Sequence, residues 1–334
     1  MRAPAGHVLS VVDSHTCGQP TRVIVGGLPD VAGATPAEAR EFLRQEHDWV
    51  RRLAVLEPRG RRALFGVALL HPTEAGAPFG VVFMDAAGYP NMCGHATIGV
   101  VTTLIEAGYL DAPQGESSFV LQTPGGPITI RAVVADECVE SVTFVNQPAY
   151  QLEILEIDEP SGSSAVPIAY GGQWYAFVNA RDFGLSVELE RAPDLVEMAG
   201  TLRPAIARAV TCTDPGTGVP PLVENVMWVD EPRVAGADGL NMAVNAAGAF
   251  DRSPCGTGTS ARLAVLSSAG ALQPGESYVN SGVLGTVYRG TIAARTEVGG
   301  TAAIVPEITG RAWLTGRAEL WASDDDPLAD GVLL

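Results

Sequence analysis

Five cysteines are scattered along the 334-residue chain, at positions 17, 93, 138, 212 and 255, and two of them sit in matched surroundings. Cys93 lies in Asn91-Met92-Cys93-Gly94-His95-Ala96-Thr97, and Cys255 in Asp251-Arg252-Ser253-Pro254-Cys255-Gly256-Thr257-Gly258-Thr259. Each is a glycine-rich turn that runs into an apolar segment. A thiol at the start of a helix meets the positive end of the macrodipole and unpaired amides, which is expected to lower its pKa from about 8.5. The same amides, those of Gly94, His95, Gly256, Thr257 and Gly258, suit a substrate carboxylate. Glycine also lets the backbone come close to a ligand. Two such thiols on opposite sides of an amino acid can invert its α-carbon: one removes the proton as thiolate, the other supplies a proton to the far face, and the roles exchange with substrate handedness. The carbanion formed in between needs its carboxylate stabilised, which two helix N-termini would do. His95, two residues from Cys93, and Asp251, four before Cys255, either orient the thiols, pair with the substrate ammonium, or serve as capping and packing residues. Cys138 and Cys212 read as buried apolar filler.

The segments around the two cysteines repeat one another. Cys93-Gly94, Ala107-Gly108 and Leu110 recur as Cys255-Gly256, Ala269-Gly270 and Leu272, each displaced by 162 positions. With a slip of two residues, Ala86-Ala87-Gly88 matches Ala246-Ala247-Gly248 and Gly115-Glu116-Ser117 matches Gly275-Glu276-Ser277. Repetition at half the chain length implies two copies of one fold facing each other. In each copy the segment after the cysteine reads as a helix, Thr97–Ile105 running to Gly108 and Thr259–Leu266 running to Gly270, apolar almost all round and therefore buried. Short β-rich runs surround them, at Arg22–Val25, Gly80–Met84, Phe119–Leu121, Pro127–Ile130, Val142–Val145 and Tyr278-Val279. The expected fold class is α/β of the α+β kind: two pseudo-symmetric lobes, each a curved, mostly antiparallel sheet around one central helix. Asp158-Glu159-Pro160-Ser161-Gly162-Ser163-Ser164 has linker composition and marks the border. Ser323–Pro327 reads as a solvated tail.

The bulk numbers fit such a chain. A length of 334 residues suits two domains, and 46% hydrophobic with 18% charged residues belongs to a globular protein. All 21 basic residues are arginine. With no lysine to form a Schiff base, pyridoxal-phosphate chemistry is closed. The cysteines show no CxxC pair or zinc-ligand spacing, so no metal and no disulfide framework is expected. A net charge of −17 argues against nucleic acid; the one basic cluster, Arg51-Arg52 to Arg59-Gly60-Arg61-Arg62, reads as a solvated face. No run approaches the roughly 18 apolar residues of a membrane span, and the start carries no long apolar signal region, so the expected setting is cytoplasmic.

At three segments the sequence resembles the proline racemase family, which includes 4-hydroxyproline 2-epimerases and trans-3-hydroxyproline dehydratases: Asp13-Ser14-His15-Thr16-Cys17-Gly18-Gln19-Pro20-Thr21-Arg22, Met92-Cys93-Gly94-His95, and Asp251-Arg252-Ser253-Pro254-Cys255-Gly256-Thr257-Gly258. Gly171-Gly172-Gln173-Trp174-Tyr175-Ala176-Phe177-Val178 resembles the opening of that family's second domain. The resemblance implies a fold shared with diaminopimelate epimerase, with the active site between two lobes, often as a homodimer. It implies that Cys93 and Cys255 are the acid/base pair, that His95 and Asp251 lie near the substrate amine, and that amides of Gly94, Gly256, Thr257 and Gly258 lie near the carboxylate. A last strand that returns to the first lobe gives domains of 1–160 plus 318–334, carrying Cys93, and 161–317, carrying Cys255. Cys17 departs from the family pattern, where a small non-thiol residue is common, and a third thiol near the site would raise the risk of oxidative inactivation.

The expected activity is therefore cofactor-independent inversion at the α-carbon of proline or 4-hydroxyproline, with the amino acid as the partner. Dehydration of trans-3-hydroxy-L-proline is the nearest alternative; such relatives typically carry threonine where Cys255 stands, so both thiols favour racemisation. Asn225 tilts the reading toward a hydroxylated substrate if its side chain reaches the pocket. A cysteine hydrolase, with Cys93 oriented by His95 or His15, leaves Cys255 unexplained. A non-enzymatic interaction protein would make both thiol loops accidental.

Overall fold

The alternation of β-branched runs with glycine-bounded apolar segments becomes a sheet-dominated α/β chain. The computed structural model describes residues 6–31, 33–74, 76–159 and 162–333. In chain order the first elements are β1 (Gly6–Thr16), β2 (Gln19–Gly26), α1 (Pro36–Glu46), α2 (Trp49–Val55), β3 (Phe65–Leu70), β4 (Phe79–Met84), α3 (Gly94–Glu106), β5 (Gly115–Thr123), β6 (Gly126–Ala135) and β7 (Cys138–Val145). There follow β8 (Tyr150–Glu159), β9 (Gly162–Tyr170), β10 (Trp174–Asn179), two short 3-10 turns, α4 (Ala192–Ala209), β11 (Asn225–Asp230), β12 (Gly239–Val244), α5 (Gly256–Ser268), β13 (Ser277–Gly282), β14 (Val287–Val298), β15 (Thr301–Gly310) and β16 (Ala312–Ser323).

The chain divides into two units, Met1–Phe144 with Gly310–Leu334, and Val145–Thr309. The borders thus fall at 144/145 and 309/310, and not at 160/161 and 317/318 as expected. The linker-like stretch is the cause: Asp158 pairs with Ser163 and Glu159 with Gly162 in the β8–β9 hairpin. The stretch thus lies inside one unit and not at its border; Pro160 and Ser161 lie outside the described residues.

In the first unit the strand order is β16-β1-β2-β3-β4-β5-β6-β7. Only β2–β3 and β4–β5 are parallel; the other neighbours are antiparallel. In the second unit the order is β8-β9-β10-β11-β12-β13-β14-β15, with β10–β11 and β12–β13 parallel and the remaining pairs antiparallel. Position for position the two patterns are the same. A parallel pair needs a crossover, and in each unit the second crossover, β4 to β5 and β12 to β13, is the helix that follows a cysteine.

Strand pleating sends alternate side chains to opposite faces. In the first unit Leu9, Ile24, Val82 and Leu320 pack with Leu43 of α1 and Leu53 of α2. On the other face α3 comes so close that a Cβ on its Gly99 would stand 2.9 Å from Thr21 Oγ1 and 3.2 Å from Ser14 Oγ. Residues Gly94 to Leu104 of α3 are all buried, as the all-round apolar pattern predicts. In the second unit Trp228 and Met242 pack with Leu195 and Leu202 of α4, and α5 lies against the glycine turn before β10. A Cβ on Gly171 would meet Thr257 O at 2.3 Å and Ala261 N at 2.4 Å.

Two surface expectations change. Arg59 donates to Asp326 Oδ2 and to Ala329 O, both at 2.9 Å, so the end of the chain is docked on the first unit and is not a free solvated tail. The arginine cluster is divided: Arg51 grips Asp48 through two 2.7 Å bonds and Arg52 donates to Asp330 O, while Arg61 and Arg62 are exposed as expected. Among the described residues no helix is long and apolar enough to cross a membrane.

Because the atoms facing Gly171 belong to backbone that cannot step aside, Gly171→Ala is expected to destabilise the protein by about 2–3 kcal/mol. Gly200→Ala, in α4 with nothing near its added Cβ, should stabilise by about 0.5–1 kcal/mol. Urea midpoints at unchanged slope measure both; equal midpoints for the two variants would refute the close approach.

Candidate active site

In the first unit Cys93 is the N-cap of α3, in extended backbone, with no side-chain capping bond of its own. The first helical bond runs from Thr97 N to Cys93 O at 2.9 Å, so the amides of Gly94, His95 and Ala96 precede it, as at any helix start. The helix start is held from the β1–β2 turn, where Thr16 Oγ1 donates to His95 O at 2.7 Å. His95 is buried edge-on against Phe65, and its Nδ1 lies 3.2 Å from Cys93 Sγ.

In the second unit Cys255 is the N-cap of α5, and its backbone takes φ +63°, a left-handed value rare for a side chain of this kind. Thr259 N donates to Cys255 O at 2.7 Å, and Gly256, Thr257 and Gly258 present the amides ahead of that bond. Glycine at 258 lets Met227 and the sulfur pack close, since a Cβ there would lie 2.0 Å from Met227 Cε, which would have to shift, and 3.0 Å from Cys255 Sγ. The unusual backbone is pinned by the preceding peptide. Pro254 O accepts from Asn241 Nδ2 at 3.1 Å, Asn280 Nδ2 at 3.2 Å and Thr259 Oγ1 at 3.0 Å. Asp251 Oδ1 accepts from Ser253 N and Ser253 Oγ, both at 2.8 Å, and Cys255 N donates to Ser253 Oγ at 3.2 Å.

The loops ahead of the two cysteines are braced alike. Arg51 donates to Asp85 O and Ala86 O at 3.2 and 3.0 Å; Arg203 of α4 donates to Asn245 O and Ala246 O at 2.8 and 3.5 Å. Arg51, expected on a solvated face, is therefore a strut of the Cys93 loop.

Electrostatics depart from expectation at Cys255. Burial, and then the Asp251 carboxylate, push its thiol up to about 12, against the smaller downward pull of the Tyr175 hydroxyl and the Gly258 amide. The expected lowering by the helix start does not win, because an anion with little water around it beside a carboxylate is costly. Burial also raises Asp251 to about 6, with Ser253 and the Cys255 thiol as the donors that moderate the rise. His95 is pushed down to about 3 by burial, so its imidazole is neutral near pH 7. Burial raises the Tyr175 phenol well above 10, so it keeps its proton.

Of the candidate residues, the first unit gathers Cys93, Gly94 and His95 at one helix start, and the second gathers Asp251, Cys255, Gly256, Thr257 and Gly258 at another. Cys17 is buried in the β1–β2 turn with its Sγ donating to Arg311 O at 3.6 Å. Cys138 and Cys212 are exposed, so they are not core filler. Cys138 opens β7 after a two-residue turn, and Cys212 N donates to Glu153 Oε1 at 3.1 Å in a loop. The Asn225 amide donates to Trp174 O at 3.1 Å and Gln173 Oε1 at 3.2 Å; this commitment to neighbouring groups removes its tilt toward a hydroxylated substrate. Sequence reasoning passed over Tyr175, whose hydroxyl lies 2.6 Å from Thr257 Oγ1 and 3.4 Å from Cys255 Sγ. Its only local signal is a phenol one strand residue beyond a glycine turn. Among the described residues no group of three or more His, Cys, Asp or Glu side chains is placed to hold a metal.

Comparison with known proteins agrees over the whole length. The chain is 38% identical over 328 residues to the proline racemase of Clostridioides difficile, covering 98% of each chain. It is 36% identical over 329 residues to the 4-hydroxyproline 2-epimerase of Brucella suis biovar 1, again covering 98% of each. The crystal structure of a hydroxyproline epimerase from Agrobacterium vitis, with bound trans-4-hydroxy-L-proline, superimposes with a TM-score of 0.87 at 30% identity, covering 99% of this chain and 97% of that one. The family described as "Proline racemase" matches residues 11–333, and with these full-length similarities the chain belongs to the proline racemase family.

Proposed function

We propose that this chain inverts the α-carbon of a proline-type amino acid, 4-hydroxyproline or proline, by two-base proton transfer between Cys93 and Cys255 without a cofactor. The observation that carries the reading is the matched placement of the two thiols, each as N-cap of the crossover helix between equivalent parallel strands. Inversion by two bases requires that one thiol take the α-proton and the other return one to the opposite face of the same carbon.

In this reading the amides of Gly94, Gly256, Thr257 and Gly258 hold the substrate carboxylate, into which the carbanion's charge spreads. The substrate ammonium pairs with Asp251, and His95, a neutral imidazole, keeps the Cys93 thiol oriented. Pairing at Asp251 has a second effect. It offsets the carboxylate charge that raises Cys255, so the bound substrate lowers the cost of its own base. Curated relatives that act on proline and on 4-hydroxyproline are about equally similar to this chain, which supports the class of substrate and leaves the ring hydroxyl to assay.

Polarimetry with L-proline, trans-4-hydroxy-L-proline and trans-3-hydroxy-L-proline tests this directly. One of the first two should change rotation without net consumption, with solvent deuterium entering the α-carbon in deuterated water. Cys93→Ser and Cys255→Ser should each lower interconversion by about 10³-fold or more. A single variant near the parent rate would refute the assignment of both bases, and turnover of the 3-hydroxylated substrate alone would favour dehydration.

The pH dependence follows from Asp251. Above about pH 6 the carboxylate is ionised and pairs with the ammonium; below it, protonation removes that pairing. The kcat/KM should therefore fall on the acid side with an apparent pKa near 6, and Asp251→Asn should abolish that limb while lowering kcat/KM by about 10²-fold or more. An unaltered acid limb in Asp251→Asn would place the titrating group elsewhere.

A further inference from the structure

Tyr175 is the buried polar group at the Cys255 loop that the two-base scheme leaves without a task. Its ring is buried in the apolar cluster with Phe177 and Met227. A phenol so placed needs a hydrogen-bond partner. It has three oxygen or sulfur neighbours for a single hydrogen: Thr257 Oγ1 at 2.6 Å, Cys255 Sγ at 3.4 Å and Gln173 Oε1 at 3.5 Å. To oxygen, 3.5 Å is the outer limit of a bond, whereas sulfur, a larger atom, is well placed at 3.4 Å. In both close contacts either atom can be the donor, so a turn about the C–O bond can aim the phenol hydrogen at Thr257 or at Cys255.

We infer that the Tyr175 hydroxyl, turning between Thr257 and Cys255, is the hydrogen-bond donor that steadies the Cys255 sulfur while it carries negative charge. The inference rests on the two-base reading and deepens it.

In the thiol state the phenol donates to Thr257 Oγ1. When the Cys255 S–H bond breaks and its proton goes to the substrate carbon, the electron pair stays on sulfur. The phenol O–H then turns to Sγ, and the Thr257 hydroxyl donates in return to the phenol oxygen. In the opposite direction the substrate Cα–H bond breaks, the proton forms an S–H bond, the electron pair remains on the α-carbon and its carboxylate, and the phenol turns back to Thr257. Tyrosine keeps its own proton throughout, consistent with a burial that resists its ionisation. The device suits this thiol, which lies beside a carboxylate and has burial working against its anion. The donors facing the sulfur are the phenol, the Gly258 amide and the Thr257 hydroxyl, and of these the phenol is a strand side chain that can turn without moving the helix start.

The test is Tyr175→Phe, which deletes one oxygen and keeps the ring. Alkylation of each cysteine by iodoacetamide is followed from pH 7 to 10 by peptide mass spectrometry. Removing one donor to a charged acceptor should slow modification of Cys255 at a given pH by about tenfold, with its profile displaced to higher pH, while Cys93 and the exposed Cys138 react as in the parent. Isotope exchange in deuterated water should show kcat lowered by about tenfold with KM little changed, since the lost bond forms with the charge and not with the bound ground state. Thr257→Val, which removes the hydroxyl behind the phenol, should shift Cys255 in the same direction by a smaller factor, and it decides the matter if the phenylalanine variant does not fold. An unshifted Cys255 profile in the folded variant overturns the assignment. Absence of isotope exchange in the parent enzyme would instead overturn the two-base reading, and the alkylation profile would still decide the role of Tyr175.

Discussion

A sulfur atom at the mouth of a buried helix is subject to two opposed forces, and the rest of the structure follows from how they are balanced. The amides of the first turn favour the thiolate. Removal from water, together with a neighbouring carboxylate at Cys255, favours the thiol. At Cys255 the second force prevails, and its thiol is pushed up to about 12. In the proposed reaction a substrate ammonium paired with Asp251 would offset that charge, coupling the readiness of the thiol to the presence of substrate.

The elements around that sulfur make the balance adjustable without letting the atom move. Three donors converge on Pro254 O, fixing the peptide ahead of a cysteine whose backbone lies in a left-handed conformation. Ser253 links Asp251 to the Cys255 amide, so carboxylate and thiol keep one spacing. In each unit an arginine from the first crossover braces the loop that precedes the cysteine. The duplicated strand order explains why such parts recur: each thiol helix is the crossover that a parallel pair requires, and a helix in that place cannot be lost without losing the sheet.

Much of this was legible in residue types and spacing. The repeat displaced by 162 positions located both cysteines, and the all-round apolar segments after them became buried helices that begin at Gly94 and Gly256. The offset is 160 at Ala86 and Ala246, 162 from Cys93 and Cys255 to Leu110 and Leu272, and 160 again at Gly115 and Gly275, so two residues are gained in the loop that holds Asp251 and Ser253 and two are lost after Leu272. What was not legible has physical reasons. The stretch at 158–164 has the composition of a linker, but the same residues suit a hairpin reversal, and only strand pairing separates the two. The pKa of Cys255 depends on burial and on the distance to Asp251, neither of which a motif contains. Arg51 and Tyr175 act through partners far away in sequence, at Asp85 and Cys255, and carry no local mark of doing so.

In the proposed reaction Cys93 and Cys255 serve one bound molecule. Thiol labelling in the presence of a saturating proline-type ligand tests it most directly, with the exposed Cys138 and Cys212 as internal references. Both Cys93 and Cys255 should be protected together, over the same ligand concentrations, while the two reference thiols react unchanged. Protection of one without the other, or of neither at saturation, would contradict it.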